Sequence, residues 1–304
     1  MGRITTPFGF ASTTADVTEG VDLAGRRVVV TGGASGIGIE TAHAFATLGA
    51  EVTLAVRNTT AAKEVAADII AATGTANVYV ARLDLADRET IHSFVDRWTG
   101  PLDVLVNNAG IMALPELQRT PDGWEMQFAT NYLGHFELAT GLHGALAQAG
   151  DARVVSVSSS GHLFSPVNFD DLHFNFTPYD PIVAYGQSKS ASTLFAVAAT
   201  SLWRADGITA NAVMPGAIAT NLQRHTGGLR TPVERRKTPD QGAATILLAA
   251  TSPLLEGAGG RYLEDNNEAL PVTRRGPELT GVAPYALDPT NAQRLWDVSL
   301  ALVA

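Results

Sequence analysis

Tyr185 and Lys189 stand four residues apart in Tyr-Gly-Gln-Ser-Lys, a spacing that on a helix places a phenol and an ammonium on one face. A free tyrosine titrates near 10, so poising it for proton transfer near neutrality takes a drop of about 2 to 3 units, or roughly 3 to 4 kcal/mol. A nearby, partly desolvated cation can supply energy of that order. Tyr-x-x-x-Lys alone is common, so its meaning depends on what the rest of the chain brings to it. Other chemistries are poorly served. The chain has no cysteine, which leaves no thiolate nucleophile, thiolate metal site or disulfide, and its seven histidines show no His-Glu-x-x-His or comparable spacing, so no metal centre is expected.

A second chemical signal lies upstream, where Thr31-Gly32-Gly33-Ala34-Ser35-Gly36-Ile37-Gly38 follows an apolar run and opens a helix-like stretch. Glycines there let backbone amides approach a pyrophosphate, and the helix N-terminus adds partial positive charge. Between a strand and a helix at the start of a βαβ unit, the pattern predicts a dinucleotide site. The next strand ends in Leu54-Ala55-Val56-Arg57-Asn58. Arg57 comes about 20 residues after Gly38, where an acidic residue would hold a free ribose hydroxyl. A guanidinium there favours a 2′-phosphate, so NADP is expected over NAD; Ser35 adds no second cation in the glycine turn.

The elements that must position these groups are legible as an alternation. Residues 28–31, 52–56, 78–83, 104–106 and 154–157 are short apolar, mostly β-branched runs, read as buried parallel strands. Helix-like stretches at 37–48, 61–72 and 89–98 separate the first four, as crossovers require. The fold expected is α/β, a doubly wound parallel sheet of Rossmann type. Further on come a long helical stretch at 124–147, a helix at 184–203, a strand at 209–214 and a short strand at 261–263. Two stretches break the rhythm. Residues 161–183 carry Phe164, Phe169, Phe174, Phe176 and Tyr179 among prolines and aspartates, and residues 217–238 carry Arg224, Arg230, Arg235, Arg236 and Lys237, read as a solvated lid. Beyond Asp265 a tail with Pro271, Pro277, Pro284 and Pro289 leads to a last helix near 291–302, expected over one end of the sheet. No linker splits the chain: one domain, 1–304, is expected, with a core of about 24–265 and a C-terminal extension at 266–304.

The charge balance, 21 Lys plus Arg against 30 Asp plus Glu, gives a net −9 and argues against a nucleic-acid or anionic-membrane surface. Small molecules and copies of itself are the expected partners. The first twenty residues are polar and broken by Pro7 and Gly9, without an apolar segment of signal-peptide or membrane-span length, so a cytoplasmic protein is expected. Gly2 and Thr6 fit a permissive acylation pattern, but an unmodified, frayed tail is the expectation.

In order along the chain, TGGASGIG at 31–38, NNAG at 107–110, VSVSSS at 155–160, YGQSK at 185–189 and Pro215-Gly216 resemble the short-chain dehydrogenases/reductases. Within them the chain is most similar to the retinol-dehydrogenase-like reductases, through Val56-Arg57-Asn58, Asn131-Tyr132-Leu133-Gly134-His135-Phe136 and a long insertion between serine and tyrosine. The resemblance implies Tyr185 as proton donor, with Lys189 and an oxidised nicotinamide lowering its pKa, and Ser159 binding the substrate oxygen, with Ser158 and Ser160 one step away. Asn131 would bend a helix and hold a water in a proton relay. Cofactor contacts would come from Gly32, Ser35, Gly36, Ile37, Gly38 and Arg57, from Asp84 and Leu85 at the adenine, and from Asn108, Ala109 and Gly110 on the adenosine side, with Asn107 packing the sheet. Lys189 would also bond the nicotinamide ribose, while Pro215, Gly216, Ile218 and Thr220 surround the nicotinamide. Ser156 departs from the asparagine that many relatives carry.

These features together predict an NADP-dependent oxidoreductase interconverting a carbonyl and an alcohol. Met112, Leu114, Leu222 and the aromatics of the insertion suggest a lipophilic substrate, or equally an anchored loop. The resemblance implies a homodimer or homotetramer paired through long helices, which the extension could obstruct. Two rival readings share parts of the pattern. An epimerase or dehydratase of the extended branch would normally space its glycines differently and carry a larger C-terminal domain. A non-catalytic NADP-binding regulatory protein would have lost part of the set Asn131, Ser159, Tyr185 and Lys189.

Overall fold

The computed structural model describes residues 2–304. Val28, Val29 and Val30 have no exposed surface, as a strand covered on both faces requires. They belong to β1 (Arg27–Thr31), which pairs in parallel with β2 (Glu51–Val56) on one side and β4 (Val104–Asn107) on the other. With β3 (Val78–Arg82), β5 (Arg153–Val157), β6 (Thr209–Met214), β7 (Tyr262–Glu264) and β8 (Asn267–Glu268), the sheet order is β3-β2-β1-β4-β5-β6-β7-β8. Only β8 runs antiparallel to its neighbour. The strand order reverses between β1 and β4, so a crevice opens at the carboxyl ends of those strands, the usual ligand position in open α/β sheets. This is the doubly wound Rossmann-type sheet expected.

Helices cover both faces. After the short α1 (Thr14–Val17) come α2 (Ile37–Thr47), α3 (Thr59–Thr73) and α4 (Arg88–Arg97). The expected long helix at 124–147 is instead a broken one: α5 (Met126–Phe128), a π-helical turn over Ala129–Leu133, α6 (Gly134–Gly141) and α7 (His143–Ala149). Then follow α8 (Pro181–Trp203), α9 (Pro239–Thr251) and α10 (Pro289–Val303). The sequence reading assigned nothing to α9. Its Thr238 and Gln241 form a capping box, yet Gly242 to Ala250 are all buried, so no polar face marks the helix period.

Both termini are tied down more firmly than expected. The N-terminal tail is docked, not frayed: the Ile4 and Thr6 amides donate to the Glu268 and Asn267 side chains, and the Asn266 and Asn267 side-chain amides donate to the Gly9 and Phe8 carbonyls. The Glu268 amide also donates to the Ile4 carbonyl, which covers the edge strand β8. At the other end, α10 packs on the outer helix layer, whereas an end of the sheet was expected. Trp296 meets the rings of Phe136 at 5.0 Å, Trp203 at 5.2 Å and Phe195 at 6.0 Å, and Tyr132 shares a 2.6 Å hydrogen bond with Ser299. It is the preceding segment that reaches the carboxyl ends of β7 and β5, where the Gly281 amide donates to Glu264 and the Ala283 amide to His162.

Candidate active site

Three strand ends meet at the crevice. At the end of β1 the Thr31 hydroxyl accepts the amides of Asn108 (2.9 Å) and Ala109 (3.0 Å), and the Thr31 carbonyl accepts the Asn108 side-chain amide (2.8 Å), so the turn after β4 is fastened to the glycine turn. Gly38 cannot be larger, because a Cβ there would fall 2.4 Å from the Gly32 carbonyl. The glycine turn leads into α2 with Gly36 as its first cap, and no side chain bonds the helix end. Ile37 begins the helix and Ser35 is exposed beside it. Arg57 is exposed at the end of β2. Asp84 closes its own turn, accepting the Ala86 amide at 3.1 Å, and the Leu85 side chain is buried in the core with its carbonyl packed against Gly134 of α6. Asn107, at the end of β4, is buried with its amide unpartnered among the described residues.

After β6 the chain turns through Pro215 and Gly216. Ile218 is buried, and Thr220 lies against Gly36, whose Cβ position would be 3.3 Å from the threonine methyl. The Thr220 hydroxyl accepts the Leu222 amide and caps the next turn with Gln223. A groove of about 520 Å³ opens here, lined by Gly36, Thr220, Asn221, Arg224 and Leu229. These features fit a dinucleotide: an uncapped helix N-terminus, a glycine cradle a side chain would fill, and a groove of ligand size.

The serine strand delivers its residues with opposite fates. Ser158 is buried, donating to the Lys189 carbonyl (2.9 Å) and accepting from Thr193 (2.9 Å), so its hydroxyl is committed to the core. Ser159 follows in extended conformation, only half buried. Its Oγ accepts the Gly161 amide at 3.0 Å, and it shares the space over Gly161 with the Tyr185 ring, a Cβ there falling 3.3 Å from Ser159 Oγ and 2.6 Å from Tyr185 Cε1. Ser160 begins the 3-10 turn Ser160–Phe164. On α8, Tyr185 and Lys189 share a face, with the ammonium 5.7 Å from the phenol ring centroid. Lys189 donates to the Val157 carbonyl at 2.8 Å. Asn131 lies in the π turn. Its side chain accepts the Ile111 amide (2.8 Å) and donates to the Ile111 carbonyl and to Ser188 (both 2.9 Å), while its own carbonyl is reached by His135 and Ser192. Gly110 passes between, since a Cβ there would lie 3.2 Å from Asn131 Oδ1 and 3.6 Å from Lys189 Nζ.

Lys189 together with an oxidised nicotinamide was expected to lower the Tyr185 pKa; within the protein itself burial dominates and pushes the phenol up to about 12, opposed by the neighbouring Ser159 hydroxyl. Burial also lowers Lys189 to about 8. The phenol therefore holds its proton at neutral pH, which is the state a proton donor needs. The second loop differs too. Arg224, Arg230 and Arg235 are exposed as a solvated lid would be, whereas Lys237 is buried, pairs with Asp265 at 2.6 Å and packs its stem under Gly216. The insertion aromatics divide. Phe174 and Tyr179 pack together and the Tyr179 hydroxyl donates to the Leu114 carbonyl, so they anchor the loop. Phe169 lies under the Arg294 guanidinium, Phe164 sits at the rim under Arg275, and Phe176 is 91% exposed.

Two histidines emerge here: His135, which the sequence offered only as part of the segment 131–136 and without a role, and His162, which it did not single out. His135 Nδ1 donates to the Asn131 carbonyl at 3.0 Å and Nε2 lies 2.8 Å from the Thr31 hydroxyl; His162 Nδ1 donates to the Ser159 carbonyl at 2.7 Å. Burial lowers them to about 3 and about 4, so both are neutral. Their only sequence signal is proximity to Asn131 and Ser159.

The family model described as short chain dehydrogenase matches residues 26–228. The chain belongs to the short-chain dehydrogenase/reductase family. Like other members of this oxidoreductase family, it has a nicotinamide-dinucleotide fold. It is 54% identical over 290 residues to a Streptomyces antibioticus protein named "Probable oxidoreductase", covering 91% of this chain and 97% of the relative. To human polyprenol dehydrogenase it is 40% identical over 289 residues, covering 86% and 87%. A solved structure from Mycobacterium paratuberculosis superposes with a TM-score of 0.75 at 34% identity, covering 96% of this chain and 97% of that one. Among the described residues, no helix is long and apolar enough to cross a membrane.

Proposed function

We propose that the chain is an NADP-dependent enzyme, built as one catalytic domain, that interconverts a carbonyl and an alcohol on a lipophilic small molecule. The observation that carries this reading is the meeting of Ser159, Tyr185 and the Lys189 ammonium at one end of the sheet that also presents an uncapped helix N-terminus. Gly32, Ser35, Gly36, Ile37 and Gly38 would cradle the pyrophosphate, and Arg57 the 2′-phosphate. Asp84 with the Leu85 main chain would border the adenine, and Asn108, Ala109 and Gly110 the adenosine side. Pro215, Gly216, Ile218 and Thr220 would flank the nicotinamide.

Bound NADPH would supply the hydride that the carbonyl carbon accepts. The Ser159 and Tyr185 hydroxyls both donate to the carbonyl oxygen and draw its electrons away from the carbon. As the C–H bond forms, the Tyr185 proton passes to that oxygen, giving the alcohol and leaving a phenolate. Lys189, close to the ring and partly desolvated, offsets that charge. With a pKa near 8 it can also yield and regain a proton at neutral pH. Asn131, held between Ile111 and Ser188, would order the route by which that proton is replaced. Half-exposed Phe164, together with Met112 and Leu222, supports an apolar substrate, and the polyprenol substrate class named for the human relative accords with it.

The test follows reduced-nicotinamide absorbance with NADPH and NADH across a panel of lipophilic aldehydes and ketones. Tyr185→Phe should lower kcat by about 10²–10⁴-fold. Wild-type-like turnover in that variant would remove the assigned proton donor.

A further inference from the structure

His162 lies at the centre of the 3-10 turn that follows Ser159 and has no exposed surface. Its Nδ1 is 2.7 Å from the Ser159 carbonyl, an atom that can only accept, so Nδ1 carries the proton. Nε2 is left with a lone pair and accepts the Ala283 amide at 3.1 Å. The Tyr285 hydroxyl donates to the His162 carbonyl at 2.6 Å, and the Tyr262 ring packs on the imidazole at 4.8 Å. Two of these partners, Ala283 and Tyr285, come from the C-terminal extension, 121 and 123 residues downstream.

We infer that His162 is a positioning residue: it fixes the peptide that carries the Ser159 hydroxyl against Tyr185, and the C-terminal extension sets its orientation. The inference rests on the roles proposed above for Ser159 and Tyr185. A neutral imidazole has one donor and one acceptor, and here both are spent, one on the serine carbonyl and one on the extension. Rotating the ring by half a turn, or losing the Ala283 amide, would leave one end unpaired in a buried site, where an unmade hydrogen bond is costly. The Ser159 carbonyl and hydroxyl belong to one short extended residue, so a tilt of that peptide displaces the hydroxyl too. A displacement near 1 Å costs on the order of 10²-fold in rate.

The decisive variant is Ala283→Pro. Ala283 has φ −71° and ψ 134°, values proline adopts, and Val282 before it lies in an extended bridge. The change therefore keeps the backbone conformation, removes the N–H and sets the proline Cδ where that hydrogen met Nε2, so the imidazole both loses its partner and is pushed aside. Expected are a kcat lowered by about tenfold, KM for NADPH unchanged, and an imidazole ¹⁵N spectrum in which His162 stays Nδ1-protonated but Nε2 loses its hydrogen-bond shift. Tyr285→Phe should lower kcat in the same direction. His162→Asn, whose amide can replace the Nδ1–H donor, should keep more activity than His162→Ala; Tyr285→Phe, which deletes one hydroxyl and adds nothing, keeps the idea testable if the others fail to fold, and wild-type kcat in it would count against the inference. Wild-type kcat in Ala283→Pro, or a ring protonated on Nε2, would overturn it. A wild-type enzyme without carbonyl reduction, or an active Tyr185→Phe, would instead defeat the proposed function, and the ¹⁵N spectrum would still decide the ring's state.

Discussion

Replacing Gly161 by alanine tests whether the Tyr185 ring has one allowed position. The added methyl would fall 2.6 Å from Tyr185 Cε1, 2.8 Å from Cδ1 and 3.3 Å from Ser159 Oγ. Carbon atoms pack at about 3.5–4.0 Å, so the ring or the turn must give way by roughly 1 Å. Gly161 does not have a positive φ, so alanine meets no conformational penalty and the effect is one of space. The ring is 5% exposed on a long helix and has little room to retreat. Crowding of this kind costs about 1–3 kcal/mol of stability, and a 1 Å displacement of a reacting group costs about 10²-fold in kcat. Steady-state NADPH oxidation should therefore show kcat down by about two orders of magnitude. Cofactor affinity, read by NADPH fluorescence, should hold, because the glycine turn is untouched. Gly144→Ala is the control: it sits on exposed helix with nothing within 4 Å, and should add about 0.5–1 kcal/mol of stability with unchanged kcat. A Gly161→Ala enzyme with wild-type kcat would refute the assignment of Tyr185 as a geometrically fixed proton donor.

Arg57→Ala should lower kcat/KM for NADPH by about 10- to 100-fold and leave NADH nearly unchanged; equal losses with both cofactors would remove the guanidinium from 2′-phosphate recognition. His135 and His162, lowered to about 3 and about 4, stay neutral in the fold while the unfolded chain protonates near 6.5. Their stabilising contribution is thus complete above about pH 6.5 and declines as pH falls through the interval down to those values. At pH 5 each should cost about 2 kcal/mol, seen as falling urea midpoints that flatten in His135→Gln. Trp296→Ala should destabilise by about 3–5 kcal/mol, since the indole fills the space between Phe136, Phe195 and Trp203; a loss under 1 kcal/mol in urea titrations would mean α10 is not part of the core.

What the sequence made legible is what local patterns encode. The glycine turn, the βαβ alternation and the Tyr-x-x-x-Lys spacing each depend on neighbours within one or two turns, and all appear where their chemistry calls for them. The failures are of two kinds. α9 is buried on every side, so no polar face exposed its period, and the π turn at Asn131 looks in sequence like continuous helix because one inserted residue per turn leaves composition unchanged. The rest are contacts at long range. Lys237 reads as one more lid cation until Asp265 closes on it, the N-terminal tail reads as loose until Asn266 and Asn267 capture it, and His162 reads as ordinary until Ala283 arrives. The Tyr185 pKa belongs here too, because burial is a property of the finished fold.

The hold that Ala283 and Tyr285 take on His162 has an implication for biosynthesis. They come 121 and 123 positions after it, so during synthesis every strand through β7 is made before they are. The serine turn therefore closes late, and a chain interrupted between β8 and Ala283 should hold dinucleotide yet turn over slowly.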